Sequence, residues 1–103
     1  MEIAAPFGRL TTAMITPFTK NGDVDWSGIE KLAAHLISQG HDGLILNGTT
    51  GEAPTTSDDE KDQIIKVVRN VVGPKIKIVA GAGNNETSHS VEQAKRAAKA
   101  GAD

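Results

Sequence analysis

Three short apolar runs, residues 10–15, 44–46 and 76–80, recur roughly every 30 residues, the length scale of a βα unit. Between them the apolar spacing becomes helical. Ile29, Leu32, Ala33, Leu36 and Ile37 share one helical face, with Asp25 placed as N-cap and Gly40 as C-cap. Ile64, Ile65, Val68, Val71 and Val72 repeat the pattern behind a capping box from Ser57 to Glu60, and Gly73-Pro74 stops that helix. Val91, Ala94, Ala97 and Ala98 mark a third helix that opens near Thr87 or Ser88 and closes at Gly101, its small face suited to close packing. The order βαβαβα, without a hairpin signal between strands, requires parallel strands joined by right-handed crossovers. The expected fold class is therefore α/β.

All three strands then share one polarity. Thr16-Pro17, the run Gly48-Thr49-Thr50-Gly51-Glu52 and the run Gly81-Ala82-Gly83-Asn84-Asn85 emerge together at the carboxyl end of the sheet, where α/β proteins carry their chemistry. In the second run two glycines let the backbone turn with its N–H groups aimed one way, and two adjacent threonines add hydroxyls that donate and accept. Such a loop suits a small carboxylate or phosphate. Thr49 and Thr50 are its best functional candidates, because adjacent threonines between glycines add no packing value. Glu52 is expected to accept the loop's own N–H groups in preference to acting as a base.

At 103 residues the chain is one small domain or part of a larger one. With 3% aromatic residues and no tyrosine, its core must be aliphatic. A net charge of -2 with interspersed signs favours neither nucleic acid nor a membrane surface as partner. Absence of cysteine excludes disulfides and thiolate metal sites, and the N-terminus lacks a charged region followed by an apolar run, so a cytoplasmic address is expected. Gly101-Ala102-Asp103 looks like Gly40-His41-Asp42-Gly43, which leads from a helix into a strand, so the chain is expected to stop mid-fold.

Other motifs carry less. Gly81-Ala82-Gly83 lacks the third glycine of a dinucleotide loop and follows the third strand, and Gly51 is followed by Glu52, not by the Lys-Ser/Thr of a phosphate loop. His35, His41 and His89 have no ligand spacing and are expected to be solvated or capping. Asp58, Asp59 and Glu60 suit the positive end of a helix dipole without a metal. Trp26 is expected to anchor the first helix on a neighbouring helix or subunit. Lys77, early in its strand, lies toward the amino end, away from the loops.

Taken together, Thr16-Pro17-Phe18, Asn21-Gly22, Gly48-Thr49-Thr50-Gly51-Glu52 and Gly81-Ala82-Gly83-Asn84-Asn85 resemble the N-terminal part of the dihydrodipicolinate synthase family, within the pyruvate-dependent class I aldolases. The resemblance runs the length of the chain. It implies that residues 1–103 form the first three βα units of a (β/α)₈ TIM barrel, an incomplete N-terminal part of a single domain. It also implies a Schiff-base lyase that condenses pyruvate with aspartate semialdehyde to 4-hydroxy-tetrahydrodipicolinate, in lysine and diaminopimelate biosynthesis. No metal or cofactor is implied, and the oligomer would be a tetramer of tight dimers. By the same resemblance Thr50 and a neighbouring N–H hold the pyruvate carboxylate, and Thr49 sits in a proton relay between two tyrosines. The Thr-Thr pair favours the synthase over sister lyases of N-acetylneuraminate or 2-keto-3-deoxy sugar acids; a non-catalytic anion-binding or assembly module is the remaining alternative. The departures are large: the chain has no tyrosine, and no residue matches the Schiff-base lysine. A lysine-inhibitor pattern known in the family is matched at Asn85 but departs at Lys61, where a histidine is expected, and at His89, where a glutamate is expected.

Overall fold

A computed structural model describes residues 5–103. Strand β1 (Thr11–Ala13) leads to helix α1 (Trp26–Ser38), strand β2 (Gly43–Leu46) to helix α2 (Asp58–Val72), and strand β3 (Lys77–Ala80) to helix α3 (Thr87–Ala100). The strands form one parallel sheet in the order β1-β2-β3, with Thr12 level with Leu44 and Leu44 level with Ile78. Side chains alternate across a strand. Leu44 and Ile78 are therefore on one face, fully buried, whereas Ala13, Ile45 and Val79 form the neighbouring row on the other face and are less covered.

The helices pack on the first of these faces, α1 against α2 and α2 against α3. Ile29 and Ala33 from α1, Ile64, Ile65 and Val68 from α2, and Ala97 and Ala100 from α3 close over Met14, Leu44, Leu46 and Ile78. Each buried aliphatic side chain of Val, Leu or Ile size contributes roughly 1.5–3 kcal/mol, so the central helix, with three of them, carries the largest share. Trp26 is half-buried against this same core, so its anchor is the chain's own core.

Both expected N-caps are present, and the C-cap of α1 falls one residue before the expected Gly40. The Asp25 carboxylate accepts the Gly28 N–H at 3.0 Å, and Ser57 and Glu60 exchange the two bonds of a capping box at 3.1 and 2.8 Å. Gln39 is the C-cap of α1, and Gly40 follows it at φ 93°, a left-handed position suited to glycine. The first strand is shorter than its apolar run: Leu10 and Ile15 are 50% and 56% exposed. Leu10 is instead engaged by Asp42, whose carboxylate accepts the Arg9 and Leu10 N–H groups, both at 3.0 Å.

The amino end of the sheet is closed by similar ties. Asp42 donates its own N–H to the Leu10 carbonyl at 2.9 Å, and Asp103 exchanges the same two bonds with Ile78 at 2.8 and 2.9 Å. Arg69 on α2 donates to the carbonyls of Gly73, Ile76 and Gly101 at 2.7–3.0 Å and pairs with Asp103 at 2.6 Å. Those bonds hold the Asp42 carboxyl below its ordinary value, the Leu10 N–H first and the Arg9 N–H second. For Asp103, burial acts to raise the value, but the Ile78 N–H and the Arg69 guanidinium outweigh it and the net shift is downward. Among the described residues no helix is long and apolar enough to cross a membrane.

Candidate active site at the carboxyl end of the sheet

The loop after β2 begins with a residue in an unusual conformation. Asn47 has φ 57°, is 4% exposed, and donates its Nδ2 to the Lys61 carbonyl on α2 at 3.1 Å. Its left-handed backbone starts a tight turn in which the Gly48 carbonyl accepts the N–H groups of Gly51 and Ala53 at 3.1 and 3.2 Å. The Thr49 carbonyl accepts the Glu52 N–H at 3.0 Å. Glu52, again at φ 57°, then opens a single 3₁₀ turn, Ala53–Thr55, with Pro54 in its first turn. A proline there lacks only an N–H that the turn leaves unused.

Two glycines sit at close approaches, and at Gly81 the approach demands a glycine. A Cβ on Gly51 would lie 3.2 Å from both the Met14 carbonyl and the Thr16 hydroxyl, and one on Gly81 would lie 2.2 Å from the Asn47 carbonyl oxygen. The loops after β1, β2 and β3 are thus pressed together at one end of the sheet. Thr16 fastens the first to the second: its buried hydroxyl donates to the Gly51 carbonyl at 2.7 Å. Neither the 3₁₀ turn nor this threonine is among the expected site features; Thr16-Pro17 marks a loop and, with Phe18, part of the family resemblance, but not a bond to Gly51.

Thr49 and Thr50 occupy the exposed crest of the turn. Among the described residues, the N–H groups of Gly48, Thr49 and Thr50 and the hydroxyls of Thr49 and Thr50 have no hydrogen-bond partner. Consecutive unpaired amides held by a rigid turn are an anion-holding arrangement, and the threonine hydroxyls extend it. Glu52 departs from expectation: its carboxylate is exposed and accepts no bond from the loop amides. Its own N–H closes the turn on the Thr49 carbonyl, and its backbone is left-handed at φ 57°.

Behind this loop lies a cavity of about 290 Å³ lined by Asn47, Asp58, Lys61, Asn85, His89 and Gln93, among others. Two of its lining residues, Asn47 and Gln93, each bury a side-chain atom, Oδ1 and Nε2, without a hydrogen-bond partner in the described chain. His89 is half-exposed, but it does more than meet solvent: it bonds to Asp58 at 2.8 Å, tying α3 to α2 and holding the Asp58 carboxyl below its ordinary value. Arg96 reinforces the same contact, pairing with Asp59 and Asp62 at 2.6 Å, and these carboxylates raise the value of its guanidinium. The acidic opening of α2 therefore serves an interhelical contact as well as the helix dipole. His41 likewise bonds across the sheet edge to Thr12, and His35 is exposed. Lys77 is the first residue of β3, level with Gly43 at the amino end of the sheet, remote in register from the loop.

The model of the Dihydrodipicolinate synthetase family matches residues 6–103. The chain belongs to this family. Among curated members, 4-hydroxy-tetrahydrodipicolinate synthase of Acidothermus cellulolyticus is 53% identical over 98 residues, covering 95% of this chain and 32% of its own length. A solved dihydrodipicolinate synthase from Bacillus anthracis superposes with a TM-score of 0.91 at 38% identity, over 97% of this chain and 34% of that one. That of Cyanidioschyzon merolae, solved with lysine bound, gives 0.88 at 43% identity over 94% and 33%. The chain thus spans about a third of the length of the dihydrodipicolinate synthetase family members it matches. Its three parallel βα units match the N-terminal βα units of the family's TIM barrel.

Proposed function

We propose that the protein carrying this chain is a 4-hydroxy-tetrahydrodipicolinate synthase, a cytoplasmic lyase of lysine and diaminopimelate biosynthesis, and that residues 1–103 are the N-terminal part of its single barrel domain. Pyruvate condenses with aspartate semialdehyde through a Schiff base on a lysine outside this chain. The observation that carries this reading is the turn at Gly48-Thr49-Thr50, whose unpaired amides and hydroxyls suit a small carboxylate. The names of the matching relatives agree with it.

In this reading Thr50, with its own and neighbouring N–H groups, holds the pyruvate carboxylate and fixes the carbonyl for attack. Hydrogen bonds from fixed donors to an anion are strong because the donors need no reorganisation. The Thr49 hydroxyl, one residue earlier on the same crest, passes a proton between two tyrosines that the rest of the polypeptide supplies. A lysine in an apolar barrel mouth is made nucleophilic by desolvation, which disfavours its charged form. The intact enzyme is a homotetramer of tight dimers.

The test uses the full-length protein. With pyruvate and aspartate semialdehyde it should form the condensation product, and borohydride in the presence of pyruvate should trap one adduct per subunit on a lysine outside residues 1–103. No product and no adduct, or an adduct on a lysine of this chain, would overturn the reading.

A further inference from the structure

Lys61 holds both stems of the Gly48–Glu52 turn, although it lies a full helix opening away from it in sequence. Its backbone carbonyl accepts the Asn47 Nδ2 at 3.1 Å, securing the residue that enters the turn. Its ammonium donates to the carbonyls of Ala53 and Thr56 at 2.7 and 2.6 Å, securing the residues that leave it. Ala53 in turn donates its N–H to the Gly48 carbonyl at 3.2 Å, so the ammonium acts on the turn through one intervening bond.

The ammonium is only partly exposed; burial lowers its basicity, against the opposing fields of Asp58 and Glu60 on its own helix. It faces the same cavity as His89 and Asp58, but its hydrogen bonds run to the turn. A side chain serving only solubility or the helix dipole would extend into water. This one lies folded over a 3₁₀ turn and replaces solvent for two carbonyls.

We propose that Lys61 is a positioning residue for the carboxylate-holding turn: by clasping both of its stems it sets the spacing of the Thr49 and Thr50 donors. The proposal rests on the reading of that turn as the pyruvate site. Lys61→Met keeps the aliphatic stem and the backbone carbonyl but removes the ammonium, leaving Ala53 and Thr56 without their donor. In the full-length protein the variant should raise KM for pyruvate about tenfold, the equivalent of one well-placed hydrogen bond, while kcat changes less than about twofold. Lys61→Arg, which keeps a cationic donor, should recover most of the loss.

Amide hydrogen exchange supplies a readout that does not depend on turnover. In Lys61→Met the amides of Gly51, Glu52 and Ala53 should exchange about tenfold faster, while those of α1 and β2 keep their wild-type rates. Unchanged exchange in the turn, or equal acceleration throughout the chain, would overturn the proposal, as would faster exchange in the turn with an unaltered KM. If the wild-type protein proves inactive, the functional reading fails by itself, and the exchange comparison still decides whether Lys61 holds the turn.

Discussion

At the amino end of the sheet, Asp42, Arg69 and Asp103 bond to backbone groups of the neighbouring strands and turns. At the carboxyl end, three consecutive amides of the turn after β2 are held in place with no partner of their own. Both ends are tied by hydrogen bonds, but in different ways. At one, charged side chains satisfy the backbone. At the other, Asn47, Lys61 and Thr16 satisfy the stems of a turn and leave its crest free. With the turn read as the proposed carboxylate site, stability and binding are divided between the two ends, as a parallel βα sheet allows, since all its strands deliver their loops to the same end.

The comparison is most severely tested at Arg69. In the full-length protein, Arg69→Leu removes the donor to three carbonyls and should lower stability by about 2–4 kcal/mol in a urea titration. KM for pyruvate should stay within about twofold; a larger change would show that the two ends are coupled. Gly81→Ala acts at the other end, where the new Cβ would lie 2.2 Å from the Asn47 carbonyl oxygen and force backbone apart. It should cost about 1–3 kcal/mol and, unlike the arginine change, also weaken pyruvate binding. Equal effects of the two variants on binding would break the division. Thr50→Val should raise KM for pyruvate about tenfold through one lost charge-assisted hydrogen bond, with stability altered by less than about 0.5 kcal/mol.

Acid should separate the ends by a smaller margin. Asp42 and Asp103 have folded-state values below the ordinary 3.8, so each stabilises the fold above the ordinary value and loses that contribution as pH falls through the folded one. The stability difference between wild type and Asp42→Asn should therefore be present at about pH 6 and shrink below about pH 4. A difference constant with pH would show that the carboxylate charge does not matter. The threonine crest carries no titrating side chain. The smallest effect is expected from L-lysine, because Lys61 and His89 line the cavity behind the turn in place of the histidine and glutamate that the family resemblance implies. A cation there works against the ligand's ammonium groups, each unit charge at about 4 Å being worth up to about 4 kcal/mol at an effective dielectric near 20. Activity should be unchanged up to millimolar lysine; inhibition at micromolar to submillimolar levels would show a working inhibitor pocket.

Much of this architecture was legible in the residues. The three helices and their polarity followed from 3.6-residue spacing and from caps such as Asp25 and the Ser57–Glu60 box, because those signals are local. Thr49 and Thr50 stood out because nothing local needed them. What stayed hidden depended on tertiary contact. The bond from Thr16 to Gly51 spans 35 residues, and no spacing rule announces it. Glu52 departs from the pattern of a loop-capping carboxylate: it sits at a left-handed φ of 57°, is exposed and accepts no bond from the loop amides, which no local spacing foretells. His89 looked like a surface residue until α2 brought Asp58 to within 2.8 Å.

Asp42 and Asp103 make one and the same ring: the N–H donates to a carbonyl in or just before the preceding strand, Leu10 or Ile78, and the carboxylate accepts that residue's own N–H. The side chain thereby imitates the carbonyl of a further strand residue, so a strand is offered its alignment before it has formed any ladder. Each such aspartate therefore sets the register of the chain that enters beside the earlier segment, through two bonds made by a single residue.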